Sequence, residues 1–304
     1  RRSARPSSMS RRPPNDMSAS ATSTRPAARR GLARRLAATP TAAAAIVILV
    51  GLIVAVVAAP LLSNASPLRI DPGHRLLSPR AGHLMGTDHL GRDMLAIVLY
   101  GGRTSLTVGV LVTALAMAAA IALGLLSGFY RRVDAVLMRI VDGLLAFPGI
   151  VLATAAAGYI GPSVTTVVLA LSLVLIAPAL RVVRGQALIV RELPMIEAAR
   201  AVGLRESHIL WRYILPAVLS SILIQASFVF SAAVLGEAAL SFIGLGVGAK
   251  DVSWGGALAE ARNYIQNGWW IVVFPGAALM LTILSLNLLG DSLRDALDPK
   301  LASR

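Results

Sequence analysis

RELPMIEAARAVGLRESHILWRYILP, residues 191–216, is a polar passage between two strongly apolar stretches, and its pattern is helical. Pro194 suits a first helical position, where its missing N–H costs nothing. Met195, Ile196, Ala199 and Val202 then fall on one face at helical spacing. Gly203 is the residue type that ends a helix in a left-handed turn. A second short helix from Glu206 to Ile214 carries Ile209, Leu210 and Tyr213, and Pro216 marks the start of a long apolar run. The passage is therefore predicted as helix, glycine turn and helix lying under a membrane. Two readings fit that periodicity: a platform for docking another molecule, or an amphipathic segment lying in the headgroups.

The membrane follows from the flanks. Apolar runs occupy Ala42–Leu62, Leu106–Tyr130, Leu137–Ile160, Val164–Leu180, Leu219–Ile243 and Trp269–Leu289. At ~1.5 Å per residue such runs match a hydrocarbon core of ~30 Å. The runs are long and unalternating, which excludes a closed barrel and predicts an all-α integral membrane protein with six transmembrane helices. A cleaved signal peptide is the rival reading of the first run, but its basic flank would be unusually long and five more runs follow. Two connections exceed a turn: a stretch of about 40 residues after the first run, and the loop from Arg181 to Pro216 that contains residues 191–216.

Composition agrees. Apolar residues make up 56% of the 304, and the 26 glycines bring that to about 65%, against ~45–50% for soluble domains. The net charge of +14 resembles a nucleic-acid footprint until it is located. Ten arginines and one acid, Asp16, lie in residues 1–40, an Arg-, Ser-, Ala- and Pro-rich segment expected to be a disordered basic tail with candidate starts at Met9 and Met17. With that tail inside, the inner side also collects Arg131, Arg132, Arg139, the six arginines from Arg181 to Arg212, Arg294, Lys300 and Arg304. The outer side keeps Arg69, Arg75, Arg80, Arg92, Arg103, Lys250 and Arg262. This asymmetry predicts cytoplasmic N- and C-termini, with Tyr264, Trp269 and Trp270 at the outer interface. Zero cysteines exclude disulfides, thiolate metal sites and a cysteine nucleophile. The expected divisions are the tail (1–40), a first helix with its extracytoplasmic loop (41–100) and a transmembrane domain (101–304).

Glu197-Ala198-Ala199, then Gly203, then Leu215-Pro216 resembles the EAA signature of the membrane subunits of ATP-binding-cassette (ABC) importers. Tyr213 stands where that family has an aliphatic residue, a departure that preserves bulk. In the family this loop is a coupling helix inserted into a groove of the ATPase subunit. The resemblance thus implies an ATPase-coupling role for Glu197, Ala198, Ala199, Gly203, Leu215 and Pro216. Gly86-Thr87-Asp88-His89-Leu90-Gly91-Arg92-Asp93 resembles the GTDxxGRD segment of the second, or C-type, permease subunit of dipeptide and oligopeptide importers. Likeness continues through Gly101–Leu106, Asp142–Pro148, Leu235–Gly246 and Asn287–Pro299, so that it covers roughly residues 40–300. It implies the type I ABC importer permease fold in the cytoplasmic membrane of a bacterium. The implied partners are a homologous second permease, two ATPase subunits or one fused, an extracytoplasmic solute-binding protein and the lipid bilayer, with no nucleic acid. Peptides are the implied substrate, with nickel, haem or glutathione carried by relatives.

The sequence shows no phosphate-binding loop, so the energy for any pumping is expected from a partner or a gradient. Its two lysines, Lys250 and Lys300, both lie outside a G-x-x-x-x-G-K-[ST] context. The resemblance implies ATP and Mg on the partner ATPase subunits, with no cofactor, metal or catalytic residue expected on this chain. Asp88, His89 and Asp93 with His83 lack the spacing of a familiar zinc or calcium site, and Asp88 and Asp93 are expected to serve turns and caps. Arg139 and Asp142, three apart, are expected to pair on one helix face, and Pro148 to kink that helix. Glu237 falls inside an apolar run near its outer end, a candidate for the translocation path or a partner contact. The alternative reading is a gradient-driven secondary transporter, which calls for midplane carboxylates in repeated halves. A membrane enzyme would have to rely on His208 beside Glu206 or His89 beside Asp88.

Overall fold

A computed structural model describes residues 40–248 and 250–297; the expected basic tail lies outside the described residues. The order is α1 (Pro40–Val57), α2 (Ala59–Leu62), a 3-10 turn (Pro72–His74), α3 (Met94–Phe129), α4 (Arg131–Leu145), α5 (Gly149–Ile160) and α6 (Val164–Arg191). Then come α7 (Pro194–Ala201), α8 (Glu206–Ile209), a π turn (Leu210–Ile214), α9 (Leu215–Phe242), α10 (Trp254–Ala261), a 3-10 turn (Arg262–Tyr264) and α11 (Trp270–Leu297). No strand occurs among the described residues.

Five helices are long and apolar enough to cross a membrane, and the bent pair α4–α5 makes a sixth if counted as one span. The kink expected at Pro148 in the third span is present and sharp: the two parts meet at 85°. Proline explains the break, because Pro148 cannot continue the hydrogen-bond ladder and disfavours helical geometry at Phe147. At 12 residues, α5 is ~18 Å long and too short to cross ~30 Å alone. The expected fourth span is longer than its apolar run, since α6 continues to Arg191 and takes residues 181–191 out of the loop.

The bundle is built on α3, which packs against both α6 and α9. Gly124 lies against Val183, and Gly128 against Ala187, so the two backbones approach closely. At the end of the bundle bearing residues 191–216, the platform end, one apolar cluster contains Phe129, Ala187, Val190, Ile196, Ile209, Leu210 and Ile214. At the opposite end Met94, Ile97, Ala261, Trp270 and Ile271 form another. Trp270 therefore belongs to the core rather than to an interfacial belt: it is buried, and its indole N–H donates to the Thr87 carbonyl at 3.0 Å. Trp269 remains exposed, and Tyr264 stacks on His89.

Candidate functional site

The platform is built as a capped helix and a turn. Pro194 opens α7, Glu197 lies in its first turn and Arg200 in its last, charges placed to complement the helix dipole. Past Val202 the Gly203 N–H donates to the Arg200 carbonyl at 2.9 Å and the Leu204 N–H to the Ala199 carbonyl at 3.2 Å. That bond pair is a Schellman cap. It needs a left-handed residue, and Gly203 has φ 82°.

Burial sorts the expected face. Ile196 and Ala199 turn inward, whereas Met195 and Val202 are exposed, Val202 at 82%. Glu197 and Ala198 lie on the surface beside the Val202–Leu204 tip. Arg191 donates to the Gly128 and Phe129 carbonyls at 3.2 and 3.4 Å, covering the free end of α3, and the Arg200 guanidinium sits over the Phe129 ring. The platform is thereby tied to the membrane helices.

The expected second short helix is not separate. Residues 206–242 form one continuous helix, α8 passing through the π turn into α9. Pro216 supplies the reason: it has no N–H for the Arg212 carbonyl, and the ladder widens so that the Leu215 N–H reaches back five residues to the Leu210 carbonyl. Leu215 and Pro216 sit where the platform joins the span.

Charged residues on α4 grip α6 in an unexpected pairing. Asp142 pairs with Arg181, 39 residues away, and not with Arg139; Asp134 takes a two-point grip from Arg184. Helical spacing alone made Arg139 the nearer candidate. The bend at Pro148 instead lays α4 across α6.

At the opposite end Glu237 is fully buried. Ser105 on α3 donates to its Oε2 at 2.8 Å, and Ser241, one turn on, to its Oε1 at 2.7 Å. The Trp254 backbone N–H donates to Ser105 Oγ at 3.2 Å, while Ser253 contacts Ser241 and caps α10 through the Gly256 N–H. One carboxyl group thus joins α3, α9 and the start of α10. Residue typing found Glu237, but its serine partners gave no signal, since serine is common in apolar helices.

Nearby, Arg92 lies between Asp88 and Glu260. Burial alone would lower the Arg92 guanidinium pKa, but the two carboxylates more than offset this and hold it above the ordinary arginine value. Asp88 also accepts from the Leu90 and Arg92 backbone N–H groups, both at 2.8 Å, and Asp93 caps α3 through the Ala96 N–H at 3.0 Å. Asp88, His89 and Glu260 offer ligand atoms within 4.8 Å of one another, but the cation between the two carboxylates is Arg92. A cavity of about 540 Å³ opens here, lined in part by Arg92, Ser241, Asp251, Ser253 and Glu260.

Residues 116–303 match the family described as "Binding-protein-dependent transport system inner membrane component". The chain is 41% identical over 252 residues to the dipeptide transport system permease protein DppC of Alkalihalophilus pseudofirmus, covering 83% of each chain. It is 42% identical over 226 residues to the glutathione transport system permease protein GsiD of Pectobacterium atrosepticum, covering 74% of this chain and 75% of the other. In fold it is similar to a chain of the MetNI methionine ABC transporter in its inward-facing conformations. That match has a TM-score of 0.55 at 18% identity and covers 67% of this chain and 98% of the other. The chain belongs to the family of binding-protein-dependent transport system inner membrane components and is a multi-pass permease subunit of an ABC importer.

Proposed function

We propose that this subunit carries peptides across the cytoplasmic membrane by alternating access, driven through residues 191–216 by ATPase subunits on the cytoplasmic side. The observation that carries the coupling is mechanical. The exposed Val202–Leu204 tip is fixed by a Schellman cap, while Ile196, Ile209 and Ile214 share one buried cluster with Phe129 and Val190. A displacement of the tip is therefore transmitted to α3, α6 and α9 together, because close-packed interiors move as units.

ATP and Mg are held by the partner ATPases. This chain contributes Glu197, Ala198, Ala199, Gly203, Leu215 and Pro216 to the coupling. A homologous second permease completes the pathway, and an extracytoplasmic solute-binding protein delivers substrate to the end bearing Glu237. The basic residues support cytoplasmic termini, and the likeness to dipeptide and glutathione permeases supports a short peptide as substrate. The divisions at residues 40 and 100 are part of the same proposal.

Gly203→Val and Glu197→Ala test it in the assembled complex. Expected is a loss of ATP-driven peptide uptake of tenfold or more for Gly203→Val, and a smaller loss for Glu197→Ala, with membrane insertion retained. Undiminished uptake by a fully assembled Gly203→Val complex overturns the coupling role, and uptake driven by a proton gradient without ATPase revives the secondary transporter.

A further inference from the structure

On the flank of the bundle α1 and α3 touch near Gly102 and leave a groove beside the contact. Gly102 sits against the Val56 side chain of α1. The next residue, Arg103, donates to the Val56 and Val57 carbonyls at 2.9 and 2.6 Å, covering the free end of α1. From this point toward the platform end runs an apolar groove of about 550 Å³, lined by Ile53, Val57, Val110, Leu111, Phe230 and Leu286. Four of these, Ile53, Val57, Val110 and Leu111, are exposed. A smaller hollow of about 210 Å³ lies beside Arg103, bounded by Tyr100, Thr104, Lys250 and Asp251. Arg103 is part of the wall of both spaces, and its guanidinium lies over the Tyr100 ring.

Depth and charge identify the occupant. Val57 ends α1, and Arg103 stands one turn before Leu106, where the apolar run of α3 begins. Arg103 thus marks the edge of the hydrocarbon at the Glu237 end. The groove reaches from Arg103 to Leu111 on α3 and from Val57 to Leu49 on α1, ~12 Å along either helix at ~1.5 Å per residue. One leaflet is half of a ~30 Å core, so that depth suits an acyl chain and is too short for a spanning helix. The hollow supplies the headgroup chemistry. Arg103 has no carboxylate partner among the described residues, and its Nη1 donates to none of them. Two cations, Arg103 and Lys250, face one carboxylate, Asp251, which leaves one positive charge for the ligand to balance. A phosphodiester without an amine of its own balances it, through charge-assisted hydrogen bonds to the guanidinium.

We propose that groove and hollow form one site for an anionic phospholipid of the leaflet at the Glu237 end. An acyl chain fills the space between α1 and α3, and the phosphate sits on Arg103 and Lys250. Tyr100 and Thr104 border the same hollow, where their hydroxyls suit the glycerol headgroup of phosphatidylglycerol. Because Arg103 also holds the end of α1, the lipid completes the attachment of the first span to the bundle. The site lies far from residues 191–216 and is independent of the coupling role.

The test uses the assembled complex, stripped of lipid in detergent and titrated with dioleoyl phosphatidylglycerol or dioleoyl phosphatidylethanolamine, with bound lipid counted by native mass spectrometry. Wild type is expected to hold its tightest phosphatidylglycerol at least tenfold more strongly than phosphatidylethanolamine. R103Q/K250Q is expected to lose that preference. Val110→Trp, which fills the groove from an exposed position, is expected to bind one lipid fewer. A photoreactive benzoylphenylalanine at position 111, in nanodiscs containing both lipids, is expected to crosslink to phosphatidylglycerol. Equal affinity of wild type for the two lipids overturns the proposal, as does phosphatidylglycerol binding within twofold of wild type in both variants. Crosslinking only to the second permease assigns the groove to that subunit and also overturns it. Should R103Q/K250Q fail to assemble once α1 is uncapped, Lys250→Gln replaces it, with at least a threefold loss of the preference expected and an unchanged preference counting against the site.

Discussion

The buried charges of one end and the exposed charges of the other are treated in opposite ways. At the Glu237 end the buried polar groups satisfy one another: Arg92 is held by Asp88 and Glu260, and Glu237 by Ser105 and Ser241. At the platform end Arg205 and Arg212 are left without carboxylates among the described residues, and Trp211 and Val202 without cover. Buried polar groups must be matched within the chain because no solvent replaces a lost partner. Exposed charges are solvated and need no partner within the chain, which leaves them free to meet another molecule. Under the proposed coupling role, the first end is a fixed structure and the second meets the ATPase.

Substituting each end should expose that difference. Arg92→Met strands Asp88 as an uncompensated buried charge, for which about 3–5 kcal/mol is the usual cost; the half-exposed Glu260 puts the expectation near the lower figure. Thermal unfolding of the purified complex measures it. Arg205→Met at the platform end should change stability by less than about 0.5 kcal/mol, as exposed sites do. Equal losses at the two positions would break the comparison. Glu237→Ala should come next, costing about 2–3 kcal/mol, since it strands the Ser105 and Ser241 hydroxyls and opens a small cavity. Glu237→Gln keeps an acceptor oxygen and should cost about 1 kcal/mol. If Glu237→Ala left stability untouched yet reduced uptake, the residue would belong to the translocation path rather than to the clamp.

A smaller loss is expected at Gly203. Gly203→Ala places a Cβ in a left-handed turn, a penalty of about 1–2 kcal/mol, and nothing lies within 4 Å of that Cβ to add a clash. Its stability effect should stay below that of Glu237→Ala, while its effect on uptake should exceed it. Uptake falling only in proportion to stability would remove the distinction between a fixed end and a working end.

Legibility in the sequence follows the same division. The platform was readable because its determinants are local: Pro194 at a first turn, Gly203 at a Schellman cap, and apolar spacing that placed Ile196 and Ala199. The spans were readable from length and hydropathy and the bend of one of them from Pro148, whereas the ladder crossed Pro216 without stopping. The pairing of Arg92 with Glu260 spans 168 residues, and that of Glu237 with Ser105 spans 132. Such contacts depend on how helices are placed in space, which periodicity does not encode. Arg139 shows the complementary error, since a partner three residues away was available to Asp142 and the bend of α4 chose Arg181 instead.

The smallest effect sits in the exposed loop of the Glu237 end. Asp71 caps the 3-10 turn, accepting from the Gly73 N–H at 3.2 Å and from His74 Nδ1 at 2.8 Å. The His74 hydrogen bond, ahead of the opposing effect of burial, holds the Asp71 carboxyl below its ordinary value of 3.8. A carboxyl depressed on folding stabilises the fold above its unfolded pKa, and that contribution is lost as pH falls below it toward the folded value. Hydrogen-exchange protection at the Gly73 amide should therefore be lost as pH falls below about 4. Asp71→Asn should remove the pH dependence, and residues 194–204 should show none from this source. A loss of protection that persisted in Asp71→Asn would mean that the loop is opened by another carboxylate, with Asp93, which binds His83 and caps α3, the next to substitute. That result would extend the acid-sensitive contact from an isolated turn to the start of a membrane helix.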